Sequence, residues 1–131
     1  MKVDRNARTW CEISLPALRN NLRTLRRCLP SKNKILAVIK DNAYGHGLIP
    51  VARTLLQAGC EEFGVACVSE GVQLRKAGIR LPILLLGSTL PFELKTALEH
   101  QLTVTLSSLT EAQELLRVTL RTRKTDRKSV V

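Results

Sequence analysis

The segment AVIKDNAYGHG, residues 37–47, decides the fold, because it joins an apolar strand to a helix through one lysine and two glycines. The apolar run at residues 35–39 does not alternate with polar residues, which is typical of a parallel strand covered on both faces. Lys40 ends this strand and is a candidate for imine chemistry, since an apolar setting favours the uncharged, nucleophilic amine. Taken alone, a lysine at a strand end is more often a side chain that reaches water.

Outward from this segment, the chain predicts a repeated rhythm of strand and helix. Prolines and glycines mark the element ends, and Ser108 with Glu111 predicts a capping box. Strands alternating with helices at this spacing predict a parallel sheet. The predicted strands are 10–15, 34–40, 63–68, 82–86 and 102–106, with Gly87 as a strand breaker, and the predicted helices are 16–29, 50–58, 70–77, 91–98 and 108–116.

Three segments follow from this pattern. Residues 1–33 form an N-terminal strand and helix, residues 34–116 hold four βα units, and residues 117–131 form a basic tail. We predict that this tail is disordered. Periodicity alone does not choose between half of an eight-stranded barrel and an open sheet, although both place their chemistry at the carboxyl ends of the strands.

The composition limits the classes of binding partner and the cellular compartment that we expect for the chain. The net charge is +10, and the last fifteen residues hold six of the 21 Lys and Arg residues. Because this tail has no aromatic residues and no repeat, a solvated tail is the favoured interpretation over a nucleic-acid site. No run of apolar residues approaches the ~20 that span a bilayer. The four cysteines and two histidines have no metal-ligand spacing, so we predict no metal site and a reducing cytoplasm, with Cys60 and Cys67 buried.

Residues 37–47 closely resemble the pyridoxal-phosphate lysine motif of alanine racemases, usually A-V-x-K-A-N-A-Y-G-H-G. Ten of the eleven positions agree, and Asp41 stands where alanine is usual. The resemblance extends over residues 9–116. It implies the fold class α/β, as the N-terminal half of a TIM-type (β/α)8 barrel with four parallel strands alternating with helices. It also implies that the chain is the truncated front part of a longer protein.

The resemblance implies a role for several side chains. Lys40 carries the pyridoxal 5'-phosphate and then acts as one of two bases at the substrate α carbon. Tyr44 binds the cofactor phosphate, and Leu86 packs near the cofactor ring, although a place in the core is an equal alternative for Leu86. From the residues themselves, Asn42 is expected to fix the turn through backbone bonds, and His46 is expected to make a structural hydrogen bond.

The implied activity is interconversion of L- and D-alanine, which supplies D-alanine for peptidoglycan. The family works as a homodimer, in which the opposite base comes from the partner subunit and an arginine faces the pyridine nitrogen. No residue of this chain matches either group, so we predict that these 131 residues alone show no racemisation above that of free cofactor. Two alternatives stay open: a regulatory barrel that binds pyridoxal phosphate without catalysis, and an inactive remnant used for interaction.

Overall fold

The computed structural model describes residues 8–122 and contains a single sheet with helices between its strands. The alternation of strands and helices that the sequence predicts is confirmed. The elements are α1 (Leu15–Cys28), β1 (Leu36–Val38), α2 (Lys40–Tyr44), α3 (Leu48–Gln57), β2 (Glu62–Val65), α4 (Val68–Lys76), β3 (Ile83–Ser88), α5 (Leu94–Glu99), β4 (Thr103–Thr105) and α6 (Leu109–Thr122).

The four strands lie in the order β1-β2-β3-β4, and each neighbouring pair is parallel. Val38 pairs with Gly64, Gly64 with Leu84, and Leu84 with Thr103, so one row of residues crosses the whole sheet. Sequential parallel order with a helix after each strand is the arrangement of a β/α barrel, in which the next strand always adds at the same edge. The four described strands account for half of such a barrel.

The two faces of the sheet differ in burial. The face toward the helices forms the core, where burial of each large side chain contributes about 1.5–3 kcal/mol. The opposite face is open among the described residues: Val38 is 38% exposed and Leu86 is 41% exposed. The expectation that β1 is covered on both faces is therefore met on one face only. The strand residues buried to 1% exposure or less are Phe63, Val65, Ile83, Leu85 and Val104.

The N-terminal strand predicted at residues 10–15 is absent from the structure. Residues 9–14 are irregular and Trp10 is 65% exposed, because no described strand lies beside this segment to pair with it. The predicted helix start is correct: Ser14 is the N-cap of α1 and its hydroxyl accepts a hydrogen bond from the Ala17 N–H at 3.3 Å. Within α1, Leu22 is buried and Leu25 is exposed.

All four strand ends differ from the prediction: β1 ends at Val38 rather than at Lys40, and β4 ends at Thr105 rather than at residue 106. β2 ends at Val65 rather than at residue 68, because the Ala66 N–H turns to the carboxylate of Glu70 in α4 and leaves the ladder. Cys67 is therefore exposed rather than buried, whereas Cys60 is buried and burial raises the pKa of its thiol. Gly87 does not break β3, which continues to Ser88.

Gly87 instead allows a close approach between strands. A Cβ at this position would lie 2.9 Å from the Ala66 carbonyl oxygen, which is too close for any side chain. The pairing of β3 with β4 also shifts register between Leu84 and Ser88. A glycine in a strand often marks this kind of irregularity or close contact rather than the end of the strand.

The start of α6 agrees with the predicted capping box. The Ser108 hydroxyl accepts from the Glu111 N–H at 3.1 Å, and the Glu111 carboxylate accepts from the Ser107 N–H at 2.7 Å. The helix then continues to Thr122, past the predicted end at residue 116 and into the segment expected to be disordered. The remainder of that tail, residues 123–131, lies outside the described residues. No helix within residues 8–122 has the length and apolar character needed to cross a bilayer.

Candidate active site at the end of the first strand

Lys40 lies directly after the last ladder bond of β1. The Ile39 N–H donates to the Gly64 carbonyl at 2.8 Å, which ties the end of β1 to β2. Ile39 is 2% exposed and anchors the chain in the core, whereas the next residue, Lys40, is partly buried. The lysine is thus held at the carboxyl end of a strand by a fixed neighbour, at the edge where β/α barrels place their chemistry.

The backbone after Lys40 forms one turn of left-handed helix. The φ angles are 53° at Asp41, 55° at Asn42, 54° at Ala43 and 54° at Tyr44. For residues other than glycine this conformation costs about 1–2 kcal/mol per residue, and it occurs as single residues rather than runs. Such a turn persists only where the surrounding structure enforces it, which is a feature of functional sites. The sequence predicted a tight polar turn here but not its handedness.

Side chains of the turn hold it in place, as predicted for Asn42 and His46. The Asn42 Oδ1 accepts from the Leu48 N–H at 2.8 Å and so joins the turn to the start of α3. The His46 Nδ1 lies 2.9 Å from the Ala43 carbonyl and 3.1 Å from the Tyr44 carbonyl, so its N–H bonds back to the turn. Both side chains therefore make the structural hydrogen bonds that were predicted for them.

Tyr44 ends the left-handed turn and is 58% exposed. The turn therefore places an exposed phenol four residues after the lysine, at the same end of the sheet. Gly45 follows at φ 84°, a conformation that suits glycine, and lets the chain reverse into α3. Lys40 and Tyr44 are thus brought to one edge by a short and strained connection.

Leu86 lies two strands away, near the carboxyl end of β3 and on the open face. A Cβ on Gly64 would meet a methyl of Leu86 at 3.2 Å and a methyl of Leu36 at 3.1 Å, so both leucines lean over this glycine from the same side. The absence of a side chain at Gly64 therefore leaves the room that the two leucine side chains occupy. The structure places Leu86 on the same side of the sheet as Leu36, and its contact with a cofactor ring stays a prediction.

Glu70 is a residue of this region that the sequence analysis did not single out. It is 9% exposed, and its two carboxylate oxygens accept from the Asn42 N–H at 3.2 Å and the Ala66 N–H at 2.9 Å. The available signal was its position in the first turn of α4, where an acidic side chain binds free backbone N–H groups. Its second partner, in the Lys40 turn, is not readable from local sequence.

The hydrogen bonds of the described residues join no arginine to Lys40 or Tyr44. Within residues 8–122 the arginines outside helices are Arg8, in the irregular N-terminal segment, and Arg80, which lies just before the amino end of β3. The same residues contain no cluster of three His, Cys, Asp or Glu side chains that could hold a metal ion. The described site therefore offers an amine, a phenol and an apolar surface.

One cavity lies at the opposite end of the sheet from Lys40, and its lining has a structural explanation. It measures about 340 Å³ and is lined by Arg75 and its neighbours. The Arg75 guanidinium donates to four carbonyl oxygens, those of Ile79, Leu81, His100 and Gln101, at 2.7–2.9 Å. Burial lowers the pKa of Arg75. Because its donors are used by the backbone, Arg75 ties two loops together and leaves little for a ligand.

The chain is similar in sequence and in fold to one known family of proteins. The sequence profile described as "Alanine racemase, N-terminal domain" matches residues 13–129. The chain belongs to the alanine racemase family. The match extends well beyond residue 116, where sequence reasoning had ended the resemblance.

Individual relatives give the same result. Alanine racemase 1 of Oceanobacillus iheyensis is 44% identical over 117 residues, which cover 89% of this chain and 31% of that protein. Alanine racemase 2 of Bacillus subtilis is 56% identical over 80 residues, which cover 61% of this chain and 20% of that protein. The chain thus spans about a third or less of the length of these relatives.

Solved structures confirm the half-barrel. The alanine racemase of Clostridium difficile 630 superposes with a TM-score of 0.87 at 37% identity, covering 92% of this chain and 32% of that chain. A histidine racemase from Leuconostoc mesenteroides superposes with a TM-score of 0.76 at 30% identity, covering 82% of this chain and 29% of that chain. The fold class predicted from the sequence, the N-terminal half of a TIM-type barrel, is confirmed.

Proposed function

We propose that the protein to which these residues belong is a pyridoxal-phosphate-dependent racemase that interconverts L- and D-alanine, with the cofactor attached to Lys40. The observation that carries this proposal is the left-handed turn, which fixes Lys40 at the end of β1 and presents Tyr44 at the same edge. Membership of the alanine racemase family supports the choice of reaction. Pyridoxal phosphate, when bound, supplies the electron withdrawal that makes an amino acid α proton removable.

Each described side chain has one task in this proposal. Lys40 provides the amine that holds the cofactor and, when released, takes or returns the α proton on one face of the substrate. The Tyr44 hydroxyl would donate a hydrogen bond to a phosphate oxygen of the cofactor. Leu86 and the open face beside it give the cofactor ring an apolar contact that excludes water from one side.

The site is incomplete within residues 8–122. Inversion requires a second proton donor on the opposite face, and Tyr44 is the only tyrosine of the chain. We infer that the second base and the cation beside the pyridine nitrogen come from parts of a longer protein and from its partner in a homodimer. The supply of D-alanine to peptidoglycan and a cytoplasmic location belong to the same proposal. Free and exposed thiols at Cys11, Cys28 and Cys67 favour such a reducing compartment.

A different amino acid is the second candidate substrate. The observation that favours it is the similarity to a histidine racemase, whose superposition covers 82% of this chain. The half-barrel is therefore compatible with more than one substrate side chain. A regulatory barrel that binds pyridoxal phosphate and an interaction remnant are less favoured, because the chain belongs to the alanine racemase family.

Proton exchange tests the proposal on the chain as it exists. We expect the purified chain, with pyridoxal phosphate, to replace the α proton of alanine by deuterium in D2O faster than the free cofactor does. Lys40→Ala should reduce this rate to that of the free cofactor. Exchange at equal rates in both proteins would contradict the proposal. Exchange of histidine in preference to alanine would transfer the proposal to the second substrate.

Racemisation is expected to be absent in the same samples. Loss of one well-placed acid or base typically costs about 10²–10⁴-fold in rate. A coupled D-amino-acid oxidase assay should therefore show no D-alanine formation above that of free cofactor. Turnover that disappears in Lys40→Ala would show that the half-barrel contains both bases and would overturn the one-face account.

A further inference from the structure

Glu70 combines a common helix cap with an unusual second contact. In α4 its carboxylate accepts from the Ala66 N–H, four residues earlier, just as Glu111 in α6 accepts from the Ser107 N–H. The other oxygen of Glu111 bonds to the hydroxyl of Ser107. The other oxygen of Glu70 instead crosses to the Asn42 N–H, in the left-handed turn after Lys40.

The turn needs support from outside its own segment. Bonds within residues 39–48, such as those from the Ala43 N–H to Ile39 and from the Gly45 N–H to Asp41, close the turn on itself. Among the hydrogen bonds of the described residues, two connect residues 41–44 to neighbouring helices. The Asn42 Oδ1 accepts from the Leu48 N–H at the start of α3, and the Asn42 N–H donates to Glu70 in α4, the helix of the next βα unit. Burial of the Ala43 methyl, at 4% exposure, is the accompanying apolar contact.

Both N–H groups held by Glu70 lie where strands β1 and β2 reach their carboxyl ends. A buried carboxylate with two N–H donors is a strong and directional link, because each bond involves a charged acceptor. Removal of one acceptor leaves a part-buried N–H without a partner, and the left-handed backbone then has less to offset its strain. The carboxylate is thus placed to fix the distance between the Lys40 turn and the end of β2.

We propose that Glu70 is a positioning residue that holds the left-handed turn, and with it Lys40 and Tyr44, in the arrangement that binds pyridoxal phosphate. This inference rests on the proposed function. Glu70 makes no contact with the cofactor in this account and acts only through the Asn42 N–H. Its loss weakens cofactor binding by loosening the turn, while the fold as a whole remains.

The test compares two isosteric variants. Glu70→Gln keeps the shape but offers one acceptor oxygen for two N–H donors, and Glu111→Gln makes the matched change at a helix cap far from Lys40 along the chain. Hydrogen exchange of the peptide spanning residues 39–47 should be about tenfold faster in Glu70→Gln than in the native chain and unchanged in Glu111→Gln. A peptide from α1 serves as the internal standard for global stability.

Cofactor affinity is measured on the same proteins by titration with pyridoxal phosphate and borohydride reduction. We expect the affinity at Lys40 to fall about tenfold in Glu70→Gln and to be unchanged in Glu111→Gln. Unchanged exchange of residues 39–47 in Glu70→Gln would overturn the inference, and so would faster exchange with unchanged affinity. If the native chain takes up no cofactor at Lys40, the proposed function fails, and the exchange result still decides whether Glu70 holds the turn.

The native chain provides a second measurement should Glu70→Gln not fold. The Asn42 amide, bonded to a buried carboxylate, should exchange as slowly as amides in the core strands when resolved by NMR. Fast exchange of the Asn42 amide in an otherwise protected protein would overturn the inference without any variant.

Discussion

At the scale of single residues, the handedness of the Lys40 turn determines which side chains it accepts. Asp and Asn tolerate left-handed backbone better than other residues with a Cβ, because their short polar side chains bond locally. Asp41 and Asn42 occupy the first two positions of the turn, so the aspartate that departs from the usual motif fits the backbone that it must adopt. It forms no ion pair among the described residues.

Substitution of Asp41 tests the strain in this turn. Asp41→Val places a β-branched residue at φ 53° and should destabilise the chain by about 1–2 kcal/mol in urea unfolding. Gln57→Val, at an exposed position in ordinary right-handed helix, is the matched control and should cost well under that amount. Equal losses in the two variants would mean that the turn is not strained in solution.

Residue-scale prediction from the sequence succeeded where a local motif was informative. The structural hydrogen bonds of Asn42 and His46 were predicted correctly because their partners lie within six residues of them, whereas the role of Lys40 stays a prediction. Glu70 was missed because its second partner lies 28 residues away, on a different strand end. The left-handed turn was missed because its conformation depends on that distant contact and on burial of Ala43.

At the scale of elements, caps and close helix–sheet contacts define the βα units. The Ser107 N–H and hydroxyl hold the pKa of the Glu111 carboxyl below its ordinary value of 4.5. A lowered folded-state pKa stabilises the fold at pH values above 4.5, and this contribution is lost as the pH falls through the folded-state value. The end of β2 lies before its predicted position because such a cap removes the Ala66 N–H from the ladder.

The pH dependence of the stability of Glu111→Gln follows from the lowered pKa of the Glu111 carboxyl. The variant should unfold at a lower temperature than the native chain at neutral pH, and the difference should shrink toward zero well below pH 4.5. Thermal unfolding followed by circular dichroism across this range measures it. A difference that stays constant with pH would show that the effect of the substitution is not ionic.

The packing of α4 against Leu102, the residue before β4, is tested at Gly71. A Cβ there would lie 2.7 Å and 2.9 Å from the two terminal methyls of Leu102, which is 1% exposed. Overpacking of this kind costs about 1–3 kcal/mol, partly offset by the better helix propensity of alanine. Gly71→Ala should therefore destabilise the native chain but stabilise Leu102→Ala, where the space is free. Additive effects in this double-mutant cycle would contradict the packing.

At the scale of the whole molecule, the described residues form half of a closed structure. β1 and β4 each have one strand neighbour, and the open face carries exposed apolar side chains such as Val38 and Leu86. Strand pattern alone did not distinguish this half-barrel from an open sheet, and the Lys40 motif made the distinction. The opposite base and the pyridine partner were beyond prediction because no described residue supplies them.

Association of the purified chain tests the open face. Unpaired strand edges and an apolar face invite pairing with other chains, so we expect sedimentation velocity to show species heavier than 14.6 kDa that increase with concentration. Val38→Glu, which charges the open face, should reduce them, whereas Gln57→Glu on the exposed side of α3 should not. A single monomeric species at all concentrations would show that the half-barrel closes its own surfaces.

The central claim is that Lys40 carries the cofactor, and peptide mapping after borohydride reduction tests it most directly. The chain is incubated with pyridoxal phosphate, reduced, digested and analysed by mass spectrometry, beside Lys40→Arg and the exposed-helix control Lys95→Ala. The account predicts one dominant modified peptide, which contains Lys40, present in Lys95→Ala and absent in Lys40→Arg. Label spread over the surface lysines, and equal in amount in Lys40→Arg, would contradict it.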